Sequence, residues 1–483
     1  MNGIRTLLQA GILALLATVA AQAQITVDGR FDDWTDRPPL HADPAGDAVP
    51  GQVDFGRLWI THDQTHLYLR LEIGVPLSLQ GENPISLLLD ADNDPHTGRP
   101  VHGIGAELVW RFGRAPGMVY LESGDSLAVL HPNLGLVTAP TVVSDRFEIC
   151  LDRTVRPTGR RPLFRGSRLA VVLAADGDLL PDAGQRLEYH LDGPGEPVTP
   201  PGSVTRPGPD LLRVMTYNTW RNGPFDPKRE TAFRRLLQAI GPDLAGFEEI
   251  RDHGSDEVAA WMGSALGGIF HHARVADNVA VSRYPIIATF PVGDNGAFLL
   301  DLEPRQPGRL LFVVAHPPCC LHDQERQAEI DELMAFVRLA QREGERFDLP
   351  AGAPIVIAGD MNLVGLPGQL ATLVRGEIAD TTRHGAAFAP DWDGTPLADL
   401  SPRHLASPHT FTWYSAESSF TPGRLDYLIF TDSVLEAVNG FVLHTPELPD
   451  EVLAGLGLKA EDTETASDHL PVVADLAFRP KSR

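Results

Sequence analysis

The chain has 483 residues, 43% of them hydrophobic and 22% charged, with 64 acidic against 40 basic side chains and a formal net charge of −24. That length exceeds one ordinary core and the composition is globular, so two or more domains are expected and low-complexity classes are excluded. A strongly acidic chain with no basic stripe is also a poor match for extended gripping of a nucleic-acid duplex.

Taken in chain order, residues 1–23 read as a secretory signal peptide. Arg5 supplies the positive start, an apolar stretch follows, and Ala21-Gln22-Ala23 has the small-x-small cleavage pattern. The apolar run is shorter than the ~20 residues that a membrane span needs. A secreted or periplasmic protein with no transmembrane segment in the mature chain is therefore expected. Three cysteines, Cys150, Cys319 and Cys320, do not make a disulfide framework.

Residues 24–195 read as all-β. Leu67, Leu69, Leu71 and Ile73 alternate with Tyr68, Arg70 and Glu72, the period of a half-buried strand, and turn signals separate several such runs. A β-sandwich is expected. Asp90, Asp92 and Asp94, followed by Thr97-Gly98, group acidic oxygens at alternate positions, a spacing that suits Ca2+ and equally suits a solvated acidic turn. VDGRFDDW, LYLRLEI and LLLDADND together resemble the family 9-like carbohydrate-binding modules and their sandwich relatives. The resemblance implies a sandwich, a calcium ion, and a glycan or surface ligand. On that reading the domain is a targeting module, and deleting residues 24–195 leaves the function of the rest of the chain intact.

Residues 196–210 continue a Pro/Gly-rich stretch and read as an interdomain linker. Residues 211–483 alternate strands and helices: LRVMTYNTW, AVSRYPII, RLLFVVAH, PIVIAGDMN, RLDYLIF and LPVVADL as strands, Lys228 to about Ile240 as one helix, and Asp323 to about Arg342 as another. Ile330, Leu333, Met334, Val337 and Ala340 give the second helix its core stripe, widened by Phe336 and Leu339. The pattern predicts an α/β fold with layered sheets.

Several of these strands end in polar residues: Asn218, His316, and Asp360 with Asn362, to which Asp426 in GRLDYLIF, Glu249 in DLAGFEEI and Ser467-Asp468-His469 before LPVVADL add further positions. Each alone has a structural explanation as a turn, cap or edge residue. Together they supply hard oxygen ligands for Mg2+ or Mn2+, acid–base groups and amide donors, which metal-assisted phosphoester hydrolysis requires.

The order TYN, FEEI, NVAVSRYPI, VVAH, IVIAGDMN, RLDYLIF and SDHLPVV resembles the endonuclease/exonuclease/phosphatase superfamily over about residues 211–477. The resemblance implies a four-layered α/β sandwich with two packed sheets. It makes Glu249 the principal metal carboxylate with Asn218 beside it and Asp468 a further ligand or a support to one. Asp360 orients or deprotonates water or helps protonate the leaving group, and Asn362 donates to the phosphate. His469 acts on the phosphate or as acid/base with Asp426 fixing its tautomer, and His316 is the other phosphate-contacting histidine. Glu248 departs from the family's usual Gln and either disturbs metal preference or faces solvent. Pro317-Pro318-Cys319-Cys320 is also outside the pattern, and a vicinal disulfide, a bridge to Cys150 and free thiols all fit it. Arg221, Arg283 and Arg424 are candidates to hold a short phosphoester. Nucleic acid and small or lipid phosphoesters both remain as substrates. The competing class is an exported carbohydrate- or surface-binding protein with an inactive hydrolase-like domain, against which the completeness of Glu249, Asp360, Asn362 and His469 argues.

Overall fold

The computed structural model describes residues 24–159, 161–193, 195–196, 202–304 and 308–479. The signal peptide assigned to residues 1–23 and linker residues 197–201 lie outside them. Among the described residues no helix is long and apolar enough to cross a membrane.

The first region packs a five-stranded antiparallel sheet (His41–Ala42, Arg57–His62, His66–Leu77, Ser144–Asp152, Val137–Ala139) on a seven-stranded one centred on Ser86–Asp90 and Arg168–Ala175. Alternation explains the interior: Leu67, Leu69, Leu71 and Ile73 meet Leu87, Leu89, Ile149 and Leu151 between the sheets. The other face of the five-stranded sheet is not solvated. Trp34, Trp59, Tyr68, Val137 and Cys150 are buried, and they belong to one apolar cluster with Phe411, Leu470 and the interior of the second region. Val27 N donates to Pro408 O at 2.9 Å, Thr410 Oγ1 donates to Val27 O at 2.8 Å, and Arg424 N donates to Thr141 Oγ1 at 3.0 Å. Linker residues are equally engaged: Val204 is buried and Gly202 N donates to Leu405 O at 2.6 Å.

This shared core changes what a truncation should do. Fully burying a large apolar side chain stabilises by about 1.5–3 kcal/mol, and removing the sandwich uncovers several at once. A chain shortened to residues 202–483 is expected to aggregate or to lose at least about 10 °C in Tm. Scattering and thermal melts measure this, and a soluble monomer with an unshifted Tm would contradict the shared core.

The second region stacks two six-stranded sheets. One orders His271–Val275, Asn278–Ser282, Leu244–Glu248, Leu212–Asn218, Val472–Phe478 and Leu435–Val442. The other orders Ile286–Val292, Asn295–Asp301, Arg309–Val314, Ile355–Asp360, Asp426–Phe430 and Ala398–Leu400. Val214, Val314, Val356 and Leu428 fill the space between them. Glu230–Ile240 and Ser255–Leu266 cover one outer face, and Asp323–Arg342 covers the other with the predicted stripe buried. The result is a four-layered α/β sandwich preceded by an all-β one.

Two of the three candidate arginines are accounted for by the fold and not by a phosphoester. Arg283 sits over the Phe270 ring at 4.4 Å, and its N–H donates to Asp243 O beside the start of strand Leu244–Glu248, the end away from the site. Arg424 lies over the Tyr427 ring at 4.0 Å and pairs with Asp399, which also takes Arg30 of the sandwich at 2.8 Å. Burial pushes the Asp399 carboxyl up, but the Arg424 and Arg30 charges and hydrogen bonds outweigh it and hold the group below its ordinary value. A depressed folded value contributes stability that is present above the unfolded carboxylate value of about 3.9 and lost as pH falls below it. Asp399→Asn should therefore cost up to about 3 kcal/mol at neutral pH by leaving Arg424, whose side chain is 11% exposed, uncompensated. Its Tm should also fall less than the parent's on acidification. Equal Tm–pH curves for parent and variant would exclude this pairing as a stabilising one.

Candidate active site

The polar residues gather where two parallel strand pairs end. Asn218 pairs with Glu248 in one sheet, and Val314 with Ala358 in the other. Gly359 makes the second approach feasible: its φ is +141°, and a Cβ there would stand 1.9 Å from Ala315 O. His316 and Asp360 are thereby set side by side at the ends of adjacent strands.

Asp360 is 2% exposed and central. Its Oδ2 accepts from Asn218 Nδ2 at 3.0 Å and its Oδ1 from Asn362 N at 3.0 Å. His469 Nε2 stands 3.5 Å and His316 Nε2 3.7 Å from Oδ2, ion-pair separations rather than tight hydrogen bonds. His469 Nδ1 is 2.8 Å from Asp426 Oδ2, the expected His–Asp pair. Asp426 is in turn set by Thr412, whose Oγ1 accepts from the N–H groups of Leu425 and Asp426 at 2.9 and 2.8 Å. Asp360, Asp426 and His469 present ligand atoms within 4.8 Å of one another.

The charges reinforce one another. Burial lowers His469, but the charges of Asp426 and Asp360 and the Asp426 hydrogen bond overcome it and raise the imidazole to about 10. His316 is raised to about 9 in the same way, with burial opposed chiefly by the neighbouring Asp277 carboxylate and the charge of Asp360. Asp360 is raised by burial and by Asp426 against the pull of both histidines.

Asn218, Glu249 and Asp468 are joined through the backbone around them. Asn218 Oδ1 accepts from Trp220 N at 2.9 Å, Glu249 Oε2 accepts from Arg221 N at 3.0 Å, and Ser467 Oγ donates to Asn218 O at 2.9 Å. Trp220, Arg221, Asn222 and Glu249 all take left-handed φ of 46–61°. Asp468 Oδ2 accepts from Trp413 Nε1 at 3.2 Å, while its Oδ1 and that of Asp426 are buried with no hydrogen-bond partner. Partnerless buried carboxylate oxygens, with the side-chain oxygens of Asn218 and Glu249 on the neighbouring loops, are the hard donors that suit a divalent cation, and Arg251 stands 3.4 Å from Glu249 Oε2. Asn362 Nδ2 donates to Pro317 O at 3.0 Å, leaving its second N–H for a substrate oxygen. Arg221 is the one of the three candidate arginines beside the site, exposed on the loop that holds Glu249.

Glu248 corrects a sequence expectation: it does not face solvent. It lies on the inter-sheet face with Thr216, whose Oγ1 donates to Glu248 Oε1 at 2.9 Å, and is fully buried. Burial and the Asp426 charge, against the Thr216 hydrogen bond, raise it to about 8, so at neutral pH it is mostly the uncharged acid. In that state it has the shape and polarity of a glutamine, the residue that the family resemblance implies at this position. The three cysteines are free thiols, so neither a vicinal disulfide nor a bridge from Cys150 is present. Cys319 and Cys320 lie exposed on the loop after His316, whereas Cys150 is buried in the seam between the regions.

The structure adds residues that sequence reading missed. Asp277 Oδ2 is 3.6 Å from His316 Nδ1, and Asn295 Oδ1 accepts from His316 N at 2.9 Å. Trp413 and Thr412 brace the Asp468–His469 loop. The TFTW run and the Asp277-Asn278 pair before a strand were the available signals. In the sandwich, Asp90 and Asp92 group with Glu107 within 4.8 Å, while Asp94 turns its carboxylate to His96 N at 2.9 Å. Arg186 also pairs with Asp90 at 3.1 Å, so a cation charge is already present there.

The model of the endonuclease/exonuclease/phosphatase family matches residues 215–469, more than half of the chain, and the chain belongs to that family. Similar solved structures include the catalytic domain of human Nocturnin, at 17% identity over 56% of this chain and 95% of that one, with a TM-score of 0.36. Others are ANGEL2, a 2′,3′-cyclic phosphatase, at 14% identity, 55% and 95% coverage and TM-score 0.39, and sphingomyelinase C from Streptomyces griseocarneus, at 16%, 55% and 99%, and 0.33. No curated protein matches the chain.

Proposed function

We propose that the protein is an exported, secreted or periplasmic, divalent-metal-dependent phosphoesterase that hydrolyses phosphodiester or phosphomonoester bonds by direct attack of water. The observation that carries this reading is the buried Asp360, held by Asn218 and Asn362 and flanked by His316 and the His469–Asp426 pair. Asp360 orients the attacking water and accepts its proton. His469, held in one orientation by Asp426, faces the phosphate and supplies a proton toward the leaving oxygen. His316 and the free N–H of Asn362 offset charge on the phosphoryl oxygens. Glu249, Asn218 and Asp468 would hold Mg2+ or Mn2+, which when bound polarises the phosphoryl group and offsets developing charge.

The acid excess favours short phosphoesters over a long duplex, with Arg221 on the loop that contacts Glu249 and Arg251 paired with Glu249 at 3.4 Å as the basic side chains beside the site. Release of phosphate or fragments from DNA, RNA, phospholipid and sugar-phosphate substrates with Mg2+ tests the reading and selects the leaving group. Hydrolysis of none of them, by protein that melts cooperatively, would favour the binding-protein alternative.

A further inference from the structure

We propose that His66, Cys150 and His409 form a second metal site, for Zn2+, in the seam between the β-sandwich and the phosphoesterase domain.

A ring nitrogen of His66, the Cys150 sulfur and a ring nitrogen of His409 lie within 4.8 Å of one another. They come from three separate elements. Cys150 is on strand Ser144–Asp152, paired with Tyr68 of the neighbouring strand, and His66 opens that neighbouring strand. His409 comes from the loop that bridges to Val27 and leads into Thr412 and Trp413 of the active site. Tetrahedral zinc with Zn–S of about 2.3 Å and Zn–N of about 2.0–2.1 Å spaces its ligand atoms by roughly 3.3–3.7 Å. Small side-chain adjustments cover the difference.

A buried cysteine by itself is ordinary core packing. Two further observations go beyond that. His409 is 6% exposed, and its Nδ1 is buried with no hydrogen-bond partner, a costly arrangement for a ring nitrogen unless something ligates it. His66 Nδ1 is engaged by Thr65 Oγ1 at 2.9 Å and stands 3.5 Å from Asp63 Oδ2, which leaves Nε2 to ligate. A carboxylate behind a histidine is the support that metal-bound imidazoles usually have. Asp63 is itself fixed by Tyr68 Oη at 2.7 Å and by the N–H groups of Thr65 and His66.

The donor types select the ion. Two imidazoles and a thiolate suit Zn2+ and reject Mg2+ and Ca2+, which need oxygen shells. Burial holds the Cys150 thiol far above its ordinary value and His409 far below its own, so the metal-free site contains a neutral thiol and a neutral imidazole. On binding, the Cys150 S–H bond breaks, the sulfur lone pair goes to Zn2+, and the proton leaves to solvent. The neighbouring His404, His444 and Glu447 are a separate network: Glu447 accepts from both imidazoles at 3.0 Å and His404 Nε2 is 2.7 Å from Phe411 O. The inferred ion would therefore clamp the sandwich to the loop that carries the active-site supports.

Cobalt substitution of the full-length protein, stripped with chelator and reloaded with Co2+, tests the site directly. The expected result is a near-ultraviolet thiolate-to-cobalt charge-transfer band, displaced by Zn2+. The band should disappear in Cys150→Ser and His409→Gln and persist in Glu249→Gln, which separates this site from the catalytic one. Zn2+ should raise Tm in the parent and in Glu249→Gln but not in the two seam variants. If Cys150→Ser fails to fold, His66→Gln takes its place. No charge-transfer band in the parent, or a band unchanged in Cys150→Ser, would overturn the proposal.

Discussion

Asp360→Asn is expected to lower kcat by about 10²–10⁴-fold, with KM changed only a few-fold. The size follows from what the substitution keeps. The introduced carboxamide would fill the same volume and still meet Asn362 N, but it cannot take a proton from water. The loss corresponds to about 3–5 kcal/mol of transition-state stabilisation. Position 360 is deeply buried between the two sheet ends, and among the described residues no other carboxylate combines its contacts with Asn218, His316 and His469. Gly359→Ala should give a comparable loss by another route, because its Cβ would collide with Ala315 O and displace Asp360 from His316. Steady-state kinetics on a soluble phosphodiester with saturating Mg2+ measure both. An Asp360→Asn enzyme within threefold of the parent would remove Asp360 from the proton-handling role.

Asp426→Asn is expected to be nearly as damaging, about 10²–10³-fold in kcat. The carboxylate accepts the Nδ1 proton of His469 at 2.8 Å and so leaves Nε2 directed at the site. An amide at 426 removes the charge that holds the His469 ring protonated and can present an N–H to Nδ1, which excludes the doubly protonated ring that supplies the proton. Thr412 holds the Asp426 backbone, so the variant should keep its fold while losing orientation. The diagnostic is selectivity: kcat should fall more for substrates with poor leaving groups, which depend on the proton, than for an activated nitrophenyl ester. An equal loss on both classes would point to general damage rather than to His469 orientation.

Much of this arrangement was legible in the chain. The helix Asp323–Arg342 follows its apolar stripe, and strand Ile355–Asp360 ends where IVIAG meets its carboxylate. Strand-end positions put Asn218, His316, Asp360, Asp426 and His469 together because parallel and antiparallel neighbours end at one edge of the stacked sheets. What was hidden depends on backbone hand and on distant partners. Alternation along Leu244–Glu248 buries Glu248, but the left-handed Glu249 breaks the period, so no count along FEEI could say how each carboxylate is aimed. Helix Ser255–Leu266 has Gly263 and several small residues, which weaken its apolar period, and it went unread. Arg424 looked available beside the site until Asp399, 25 residues away, and Arg30, from the other domain, were seen to hold it in place. The alternation of strand His66–Leu77 implied a solvated face. Tyr68 and Cys150 are instead buried against the second domain, a contact that local periodicity cannot show.

Hydrolysis should depend on a divalent ion held through Glu249, and a single set of rate measurements decides whether it does. Initial rates of phosphoester hydrolysis are measured for the parent and Glu249→Ala across a Mg2+ titration, starting from EDTA-treated protein. The expected results are negligible turnover in EDTA, saturable recovery with Mg2+ or Mn2+ in the parent, and loss of at least about 10²-fold in Glu249→Ala at any metal concentration. Equal turnover in EDTA, or a Glu249→Ala enzyme that responds to Mg2+ as the parent does, would contradict it.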